Sequence, residues 1–304
     1  MIENKTIHKP VLLNEIIEGL SLQQSDIVLD GTVGGGGYFT KICFQLDKRG
    51  MVIGLDQDKL ALERVEKNLS KQNFKCKSSL VNENFRNLDL ALKILEIEKV
   101  DKIVFDLGIS SDQLDNSGRG FSFQKNEPLL MSLKKNLNKK DLSAAEIVNT
   151  WDEENLADII FGYGEEKFSR SIAREICEAR KVKKIETTFE LVEIIKKAVP
   201  KWYLFKKTHF ATKTFQALRI TVNDEIESLK EGLVKGFESL NEGGRFAVVS
   251  FHSLEERVVK KFFKELKKEG KCILVNKKPI TPSHDEIKEN SRSRSAKLRI
   301  IEKI

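Results

Sequence analysis

A glycine-rich turn follows the first apolar run of the chain. Ile27–Leu29 ends in Asp30, and four consecutive glycines, Gly34–Gly37, precede a helical pattern. Glycine has no side chain and accepts positive φ, so such a turn lets the backbone approach a ligand closely. A P-loop is excluded because no lysine follows the glycines. The dinucleotide fingerprint fits poorly, because Phe39 stands where its third glycine is required.

Acidic side chains at two strand ends favour a cationic ligand. Asp30 would repel a pyrophosphate held at the start of the next helix, whereas the amine and sulfonium of S-adenosylmethionine are cationic. Asp56 ends the second apolar run 22 positions after Gly34, where α/β nucleotide binders hydrogen-bond a ribose diol. We predict an S-adenosylmethionine site. The alternatives are a dinucleotide, or a turn in which both acids only cap helices.

Two later strand ends add candidate side chains. Phe85 follows the third apolar run and could flank an adenine, although a single phenylalanine there more often belongs to the core. The fourth run ends at Asp106, with Ser110 and Gln113 shortly after it. Open α/β sheets place their chemistry just beyond such carboxyl ends. We expect a site here, with a solvated loop as the alternative.

The elements that must position these residues alternate in type. Short apolar runs, the fourth at Lys102–Phe105, are separated by helical periodicity at Lys59–Gln72 and Leu88–Glu98. This alternation predicts a parallel sheet. It stops after about Asp112, and Leu142–Leu218 has a mostly helical pattern.

Strands return in the last third of the chain. We expect a turn at Asn241–Gly244, followed by strands at Arg245–Phe251, Cys272–Val275 and Leu298–Ile301. The fold class is therefore α/β with an inserted helical domain. The predicted divisions are residues 1–112 for the first part of the sheet domain, 113–215 for the insertion, and 216–304 for the second part.

Capping patterns indicate several helix starts. Thr187 with Glu190, and Ser253 with Glu256, have the spacing of a capping box, in which each side chain bonds the backbone N–H of the other residue. The two glutamates at 165–166 suit a first helical turn, where negative charge is favourable.

The positive charge of the chain is concentrated in one stretch. The 304 residues include 53 Lys and Arg against 46 Asp and Glu, a net charge of +7, and residues 194–223 hold seven cations and no acid. Trp202 and Phe205 lie among these lysines, which suits phosphate contacts and stacking on unpaired RNA. We predict RNA binding there, with a solvated helical face as the alternative. The lysines assigned to this role are Lys206, Lys207 and Lys213.

A second basic segment lies near the C-terminus. Arg292, Arg294 and Arg299 fall within eight residues of one another. They could bind phosphate or close over the cofactor domain, and both interpretations stay open. We include Arg292 and Arg294 among the predicted RNA-binding residues.

Composition excludes several protein classes. Charged residues make up 33% and hydrophobic residues 40%, with only 5 Pro, which excludes disordered and collagen-like chains. No apolar run reaches the ~18 residues of a membrane span, and the N-terminus lacks a signal-peptide pattern, so we expect a cytoplasmic protein with no membrane partner. The four cysteines lack paired spacing, which predicts reduced packing residues, no disulfide and no metal site.

Longer motifs extend nearly from one end of the chain to the other. They include His8-x-Pro-Val-Leu-Leu-x-Glu15, Asp30-Gly-Thr-x-Gly-x-Gly-Gly37, Asp106-Leu-Gly-x-Ser-Ser-x-Gln-Leu-Asp115, Arg119-Gly-Phe-Ser-Phe123, Tyr163-Gly-Glu-Glu166, Thr214-Phe-Gln-Ala217, Ser250-Phe-His-Ser-Leu-Glu255 and Asn290-x-Arg-x-Arg-Ser295. With these motifs the chain resembles the bacterial 16S ribosomal RNA (cytidine) N4-methyltransferases, the MraW family.

The resemblance implies a class I Rossmann-like S-adenosylmethionine-dependent methyltransferase sheet with an inserted helical domain. It also implies S-adenosyl-L-methionine as methyl donor and, as acceptor, a decoding-centre cytidine of 16S ribosomal RNA in the small ribosomal subunit. It leaves open whether the protein is a monomer or a homodimer. The cofactor contacts that it implies are Gly36, Gly37, Tyr38, Asp56, Phe85, Asp106 and Gln113.

The implied reaction requires hydrogen-bond acceptors for the exocyclic amine of cytosine. That amine is a poor nucleophile because its lone pair is delocalised, so an enzyme should orient it toward the methyl group. Asp106 and Ser110 occupy the region after the fourth strand where other amine-methylating families place such acceptors. His252 could orient the base or take a proton, with a helix N-terminal role as the alternative. These three are the predicted catalytic residues.

The chain departs from the family pattern at a few positions. Leu130 and Ser132 stand where the family has Asp and Arg, and Tyr38 stands where it has His. Two rival functions stay open. One is a methyltransferase acting on another RNA or on a protein, and the other is an inactive RNA-binding assembly factor.

Overall fold

The computed structural model describes residues 10–134 and 141–304, so His8 of the first motif lies outside the described residues. Contacts group these residues into two compact units. The first comprises the residues through Ser110 together with Ile226–Ile304, and the second is Ser111–Glu225. The division expected at 215/216 falls inside the helix Thr212–Asn223, and the second unit includes that helix and ends at Glu225.

The first unit contains a seven-stranded sheet with the order β3-β2-β1-β4-β5-β7-β6. The strands are β1 Ile27–Asp30, β2 Met51–Leu55, β3 Lys77–Val81, β4 Val100–Asp106, β5 Leu240–Ser250, β6 Cys272–Leu274 and β7 Lys297–Lys303. Strands β1 to β5 pair in parallel, and β7 runs antiparallel to both β5 and β6. The predicted α/β, Rossmann-like sheet is confirmed. The turn expected at 241–244 lies within β5 instead, beside a register shift between Val100 and Lys102.

The helices of both units follow in chain order. They are α1 Leu13–Leu20, α2 Gly37–Cys43, α3 Lys59–Leu69, α4 Leu88–Ile94, α5 Ser111–Asn116, α6 Ala144–Thr150, α7 Glu153–Gly162, α8 Ser169–Val182, α9 Thr188–Ala198, α10 Thr212–Asn223, α11 Glu225–Ser239, α12 Ser253–Lys268 and α13 His284–Glu289. Short 3-10 turns occupy Phe85–Asn87, Lys201–Phe205 and Ser291–Ser295. Among the described helices, none combines the length and apolarity that crossing a bilayer requires.

Both faces of the sheet are covered. Val28 and Val52 belong to one apolar cluster, while their neighbours Leu29 and Ile53 belong to the other. A parallel sheet that is buried on both faces needs apolar residues at every position, which explains the short continuous apolar runs in the sequence. Because β4 pairs with β1 on the side opposite β2, the order in which strands are added to the sheet reverses at β1. Ligands bind at such a switch point, outside the carboxyl ends of the strands.

The helix starts agree only in part with the capping patterns. Thr187 and Glu190 form the predicted capping box at α9. The prediction for residues 165–166 was wrong, because α8 begins at Ser169. Glu166 is fully buried instead, where it accepts hydrogen bonds from the Tyr203 hydroxyl at 2.5 Å and from a backbone N–H.

The predicted pairing of Ser253 with Glu256 at α12 was also wrong. His252 is the N-cap residue, and Glu255 completes the capping box. Glu256 turns toward β7, where both Nε and Nη2 of Arg299 donate to its Oε1 at 3.0 and 2.6 Å. Ser253 with Glu256 and His252 with Glu255 have the same three-residue spacing. Glu256 does not form the capping box because it is bonded to Arg299.

Candidate functional site

The glycine turn after β1 has a backbone that favours glycine. Gly34 and Gly36 have φ values of 49° and 78°. A Cβ on Gly36 would lie 2.8 Å from Val65 Cγ2, and one on Gly37 would lie 2.7 Å from Pro10 Cγ. The turn is therefore packed against its own unit on one side, and it offers backbone groups rather than side chains to a ligand.

Asp56, after the end of β2, holds this turn. Its Oδ2 accepts a hydrogen bond from Gly34 N at 2.8 Å, and its Oδ1 accepts one from Asp58 N at 2.8 Å. Burial raises the pKa of Asp56 to about 6, against the opposing effect of these two backbone donors. A carboxylate oxygen can accept more than one hydrogen bond, so Asp56 retains capacity for the hydroxyls of a ribose.

Asp30 and Asp106 form an acidic pair at the switch point, at the carboxyl ends of β1 and β4. Asp30 is fully buried, and its Oδ1 accepts a hydrogen bond from Thr32 N at 3.1 Å. Asp106 N donates to the hydroxyl of Thr32 at 2.6 Å. Among the described residues, neither Asp30 Oδ2 nor Asp106 Oδ1 has a hydrogen-bond partner, although both atoms are buried.

The electrostatics of this pair are those of acids withdrawn from water. Burial, with a smaller contribution from the charge of Asp56, raises the pKa of Asp30 to about 7. Burial and the charges of Asp30 and Glu255 raise the pKa of Asp106 well above its ordinary value. Buried carboxylates without partners are costly, and a cationic ligand would compensate them. The residues therefore fit the amine and sulfonium of S-adenosylmethionine better than a phosphate.

Tyr38 does not present its side chain to the turn. It is buried, and its hydroxyl donates a hydrogen bond to the carbonyl oxygen of Val11. Burial and the charges of Asp106 and Asp30 raise its pKa well above the ordinary value. Its side chain thus joins α2 to the segment before α1, which leaves the backbone as its possible contact with a cofactor.

Phe85 packs within the first unit beyond β3. Its ring centroid lies 4.8 Å from that of Phe105, and a Cβ on Gly232 of α11 would lie 2.5 Å from its Cδ2. The residue is half-buried. Its ring is fixed by core residues, and a role beside an adenine stays a prediction.

Ser110 lies next to the glycine turn, whereas Gln113 belongs to the second unit. A Cβ on Gly34 would be 3.8 Å from Ser110 Cβ, so the segment after β4 reaches the turn after β1. Gln113 is 5% exposed, within α5. Its assignment to the cofactor stays a prediction.

His252 has the helix N-terminal role that sequence analysis offered as its alternative. Its Nδ1 accepts from Glu255 N at 3.4 Å, and Glu255 Oε2 accepts from the backbone N–H groups of Phe251 and His252 at 2.8 and 3.3 Å. The His252 Nε2 atom lies 3.0 Å from Glu255 Oε1 but forms no hydrogen bond within the described residues. Sequence analysis named Glu255 in the Ser250–Glu255 motif without giving it a role, although its three-residue spacing from His252 was an available indication.

The basic stretch of the second unit has an ordered aromatic centre. Tyr203 is buried, whereas Trp202 is 53% and Phe205 87% exposed. The ammonium groups of Lys167 and Lys206 lie 4.5 and 5.3 Å from the Trp202 ring centroid. Exposed rings beside cations suit stacking on unpaired bases with contacts to phosphate.

The other cations predicted to bind RNA differ in their surroundings. Lys213 Nζ donates to the carbonyl oxygen of Glu165 at 2.6 Å, so it also has a structural contact. Lys207 is exposed, as are Arg292 and Arg294. Arg299 is buried against Glu256, which contradicts its suggested contact with phosphate.

The segment that departs from the family pattern is held by its backbone. Asn223 Nδ2 donates to Met131 O, and Leu133 N donates to Asn223 Oδ1, both at 2.8 Å. Ser132 is buried, and its hydroxyl accepts from Lys134 N at 3.1 Å. Leu130 N donates to Pro128 O at 2.9 Å. The segment therefore keeps a defined course without the Asp and Arg of the family.

Comparisons with known proteins show the family of the chain. The sequence pattern of the MraW methylase family matches residues 5–304. Proteins named ribosomal RNA small subunit methyltransferase H from Acetivibrio thermocellus and Clostridium botulinum are 46% and 44% identical to the chain, over 98% of it and 99% of each relative. The crystal structure of an rRNA methylase from Streptococcus thermophilus aligns over 98% of this chain and 99% of that chain, with 14% identity and a TM-score of 0.46.

Proposed function

The chain belongs to the MraW methylase family, and we propose on this basis that it transfers the methyl group of S-adenosylmethionine to the exocyclic N4 atom of a cytidine in 16S ribosomal RNA. In this proposal the first unit binds the methyl donor and the second unit recognises RNA. The substrate is the RNA within a small subunit that is assembled or nearly so. In this proposal the enzyme acts in the cytoplasm, where bacterial ribosomal subunits are found.

The observation that supports the proposal best is the pair of unpartnered carboxylate oxygens at the switch point. Asp30 Oδ2 and Asp106 Oδ1 are buried at the carboxyl ends of adjacent strands without a hydrogen-bond partner among the described residues. Open α/β sheets bind ligands at this place. A cation and an amine donor are the two groups that such oxygens accept best.

The site residues of the first unit have different roles in binding the methyl donor. When bound, S-adenosylmethionine supplies an electrophilic methyl group attached to a sulfonium. The backbone from Gly34 to Gly37 allows close approach, and Asp56 both fixes that turn and offers oxygens to a ribose. Asp30 supplies negative charge in a dry site, where it interacts strongly with a cation.

Asp106 and its neighbours act on the acceptor amine. Asp106 accepts a hydrogen bond from the N4 hydrogen of cytosine, which orients the nitrogen lone pair. Methylation leaves an additional proton on N4, and the raised pKa of Asp106 makes this carboxylate a suitable recipient. Ser110, beside the glycine turn, offers a hydroxyl to the base. His252 is held by Glu255 at the same sheet edge, after β5, where it limits the space left for the cytosine.

The second unit supplies the contacts that bring RNA to the enzyme. Lys206 and Lys207 neutralise phosphates, and the exposed rings of Trp202 and Phe205 stack on unpaired bases. Arg292 and Arg294 add positive charge from the first unit. These contacts are independent of the base that is methylated.

Mapping of the modified nucleotide tests this function. Purified protein is incubated with isotopically labelled S-adenosylmethionine and small subunits that lack their native methylation, and the labelled nucleotide is identified by mass spectrometry. The proposal predicts a label on N4 of one 16S cytidine. A label on another RNA or on a ribosomal protein would indicate a different methyltransferase. Subunit binding without any label would indicate an assembly factor.

A further inference from the structure

One face of α12 carries a row of cations to which neither the sequence motifs nor the site described above assigns a role. The row lines a shallow surface groove on this helix, and all of its members are exposed. They are Arg257, Lys260, Lys261, Lys264 and Lys268.

The spacing of the row places its charges on one stripe. Lys260, Lys264 and Lys268 follow one another at four-residue intervals, which corresponds to ~6 Å along the helix axis for each step. Within residues 10–134 and 141–304, these three lysines have no carboxylate partner. Lys261 and Glu265 form an ion pair at 3.9 Å, and such exposed pairs are weak. The groove therefore keeps a strong positive charge.

Packing of the opposite face fixes the direction of the row. Val259, Phe263 and Leu266 of α12 are buried in the apolar core of the first unit. The helix cannot rotate without exposing them, so the lysines face solvent in a defined register. Folding therefore fixes the backbone positions from which these side chains extend.

The row also starts close to the proposed site. Helix α12 begins directly after its N-cap residue His252. At 1.5 Å per residue, Lys260 lies ~12 Å and Lys268 ~24 Å from His252 along the axis. The positive charges thus lead away from the sheet edge that holds Asp106.

We infer that this row, Arg257 to Lys268, binds the phosphates of the RNA strand that flanks the methylated nucleotide. The inference rests on the proposed function, since it takes the substrate to be RNA. Charge complementarity favours a polyanion with regularly repeated charges. A lipid surface fits less well, because the row contains no apolar side chain that would enter a bilayer.

The salt dependence of binding tests the inference. In the variant Lys260→Gln, Lys264→Gln, Lys268→Gln, loss of three phosphate contacts should reduce the slope of log K against log salt for small-subunit binding by about 2. The matched control replaces Lys67, Lys71 and Lys75, which are also exposed lysines of the first unit, by glutamine. The control removes the same charge and should leave the slope nearly unchanged.

The outcomes separate this inference from the proposed function. Both variants should bind S-adenosylmethionine as the wild type does, which shows that they are folded. If the wild type methylates small subunits while the α12 variant keeps the wild-type slope, or both variants lose the same slope, the inference is overturned and the function stands. Binding of the row to anionic vesicles in place of RNA would overturn it as well. A wild type that methylates no RNA overturns the proposed function in the same samples.

Discussion

The Oδ2 atom of Asp56 accepts a hydrogen bond from the backbone N–H of Gly34 over 2.8 Å. This bond joins the residue after β2 to the turn after β1, so the two strands share one rigid edge. Asp56 therefore fixes the backbone that a methyl donor would approach, and its carboxylate is also suited to bind the ribose of that donor. Binding and pre-organisation depend on the same carboxylate.

Replacement of Asp56 by asparagine should weaken cofactor binding with little effect on the fold. Gly34 N and Asp58 N donate to different oxygens of Asp56, and asparagine replaces one of these oxygens by an NH2 group, so one of the two N–H groups would face a donor. The loss of a charged acceptor corresponds to about 1.5–3 kcal/mol, or roughly a 10- to 150-fold increase in the Kd for S-adenosylmethionine. Calorimetric titration measures this change. An unchanged Kd would show that Asp56 has no part in binding.

The buried acid Asp30 should make stability depend on pH. Its pKa is raised to about 7 in the folded protein from an ordinary value of 3.8, so the folded state binds more protons between these values. The free energy of unfolding therefore falls as pH rises through this range and levels off above about 7. Asp30→Asn removes the effect, and at pH 8 it should be more stable than the wild type by a few kcal/mol.

Urea unfolding at pH 5 and pH 8 measures this difference. Asp47→Asn is the control, because a hydrogen bond from Arg49 lowers the pKa of Asp47 and its effect has the opposite sign. The stabilised Asp30→Asn protein should bind S-adenosylmethionine more weakly, as expected where a functional charge is retained at the expense of stability. Parallel pH profiles for wild type and Asp30→Asn would contradict the burial of this charge.

Substitutions at Phe205 and Tyr203 should have different effects, the first on RNA binding and the second on the stability of the fold. Phe205 is 87% exposed, so Phe205→Ala should leave the free energy of unfolding within about 0.5 kcal/mol of wild type. Loss of a stacking ring should weaken small-subunit binding by about 1–3 kcal/mol. Tyr203→Phe deletes the hydroxyl that donates to buried Glu166 and should destabilise the fold by about 1–3 kcal/mol.

Binding assays and thermal unfolding on both variants test this contrast. Tyr203→Phe should bind small subunits normally at temperatures at which it is folded. If Phe205→Ala instead unfolds early and binds RNA normally, the ring has a packing role and the proposed stacking surface is wrong.

Local patterns predicted much of this architecture. The alternation of apolar runs with helical periodicity was sufficient for the parallel strands, because a sheet covered on both faces requires such runs. The glycine turn and the position of Asp56 at a strand end were also predicted, since each depends only on residues that are close together in the sequence. The capping box at Thr187 and Glu190 formed as predicted for the same reason.

The roles of two acidic residues could not be predicted from sequence, because they depend on contacts between distant parts of the chain. Glu256 has the correct spacing to pair with Ser253, yet Arg299, 43 residues away, takes it for a buried ion pair. The spacing of residues along the chain cannot distinguish a glutamate in a long-range ion pair from a glutamate in a capping box. Glu166 looked like a residue of a first helical turn, and its buried contact with Tyr203 spans 37 residues. Tertiary partners decide the role of such acids.

The measurement that tests the central claim most directly is single-turnover methyl transfer to small subunits by Asp106→Asn. The account predicts that the rate of N4 methylation falls at least ~100-fold, since an oriented acceptor and proton recipient is lost. It also predicts that the Kd for S-adenosylmethionine changes much less than the rate. A variant that methylates the same cytidine at the wild-type rate would contradict the assignment of Asp106 to the amine.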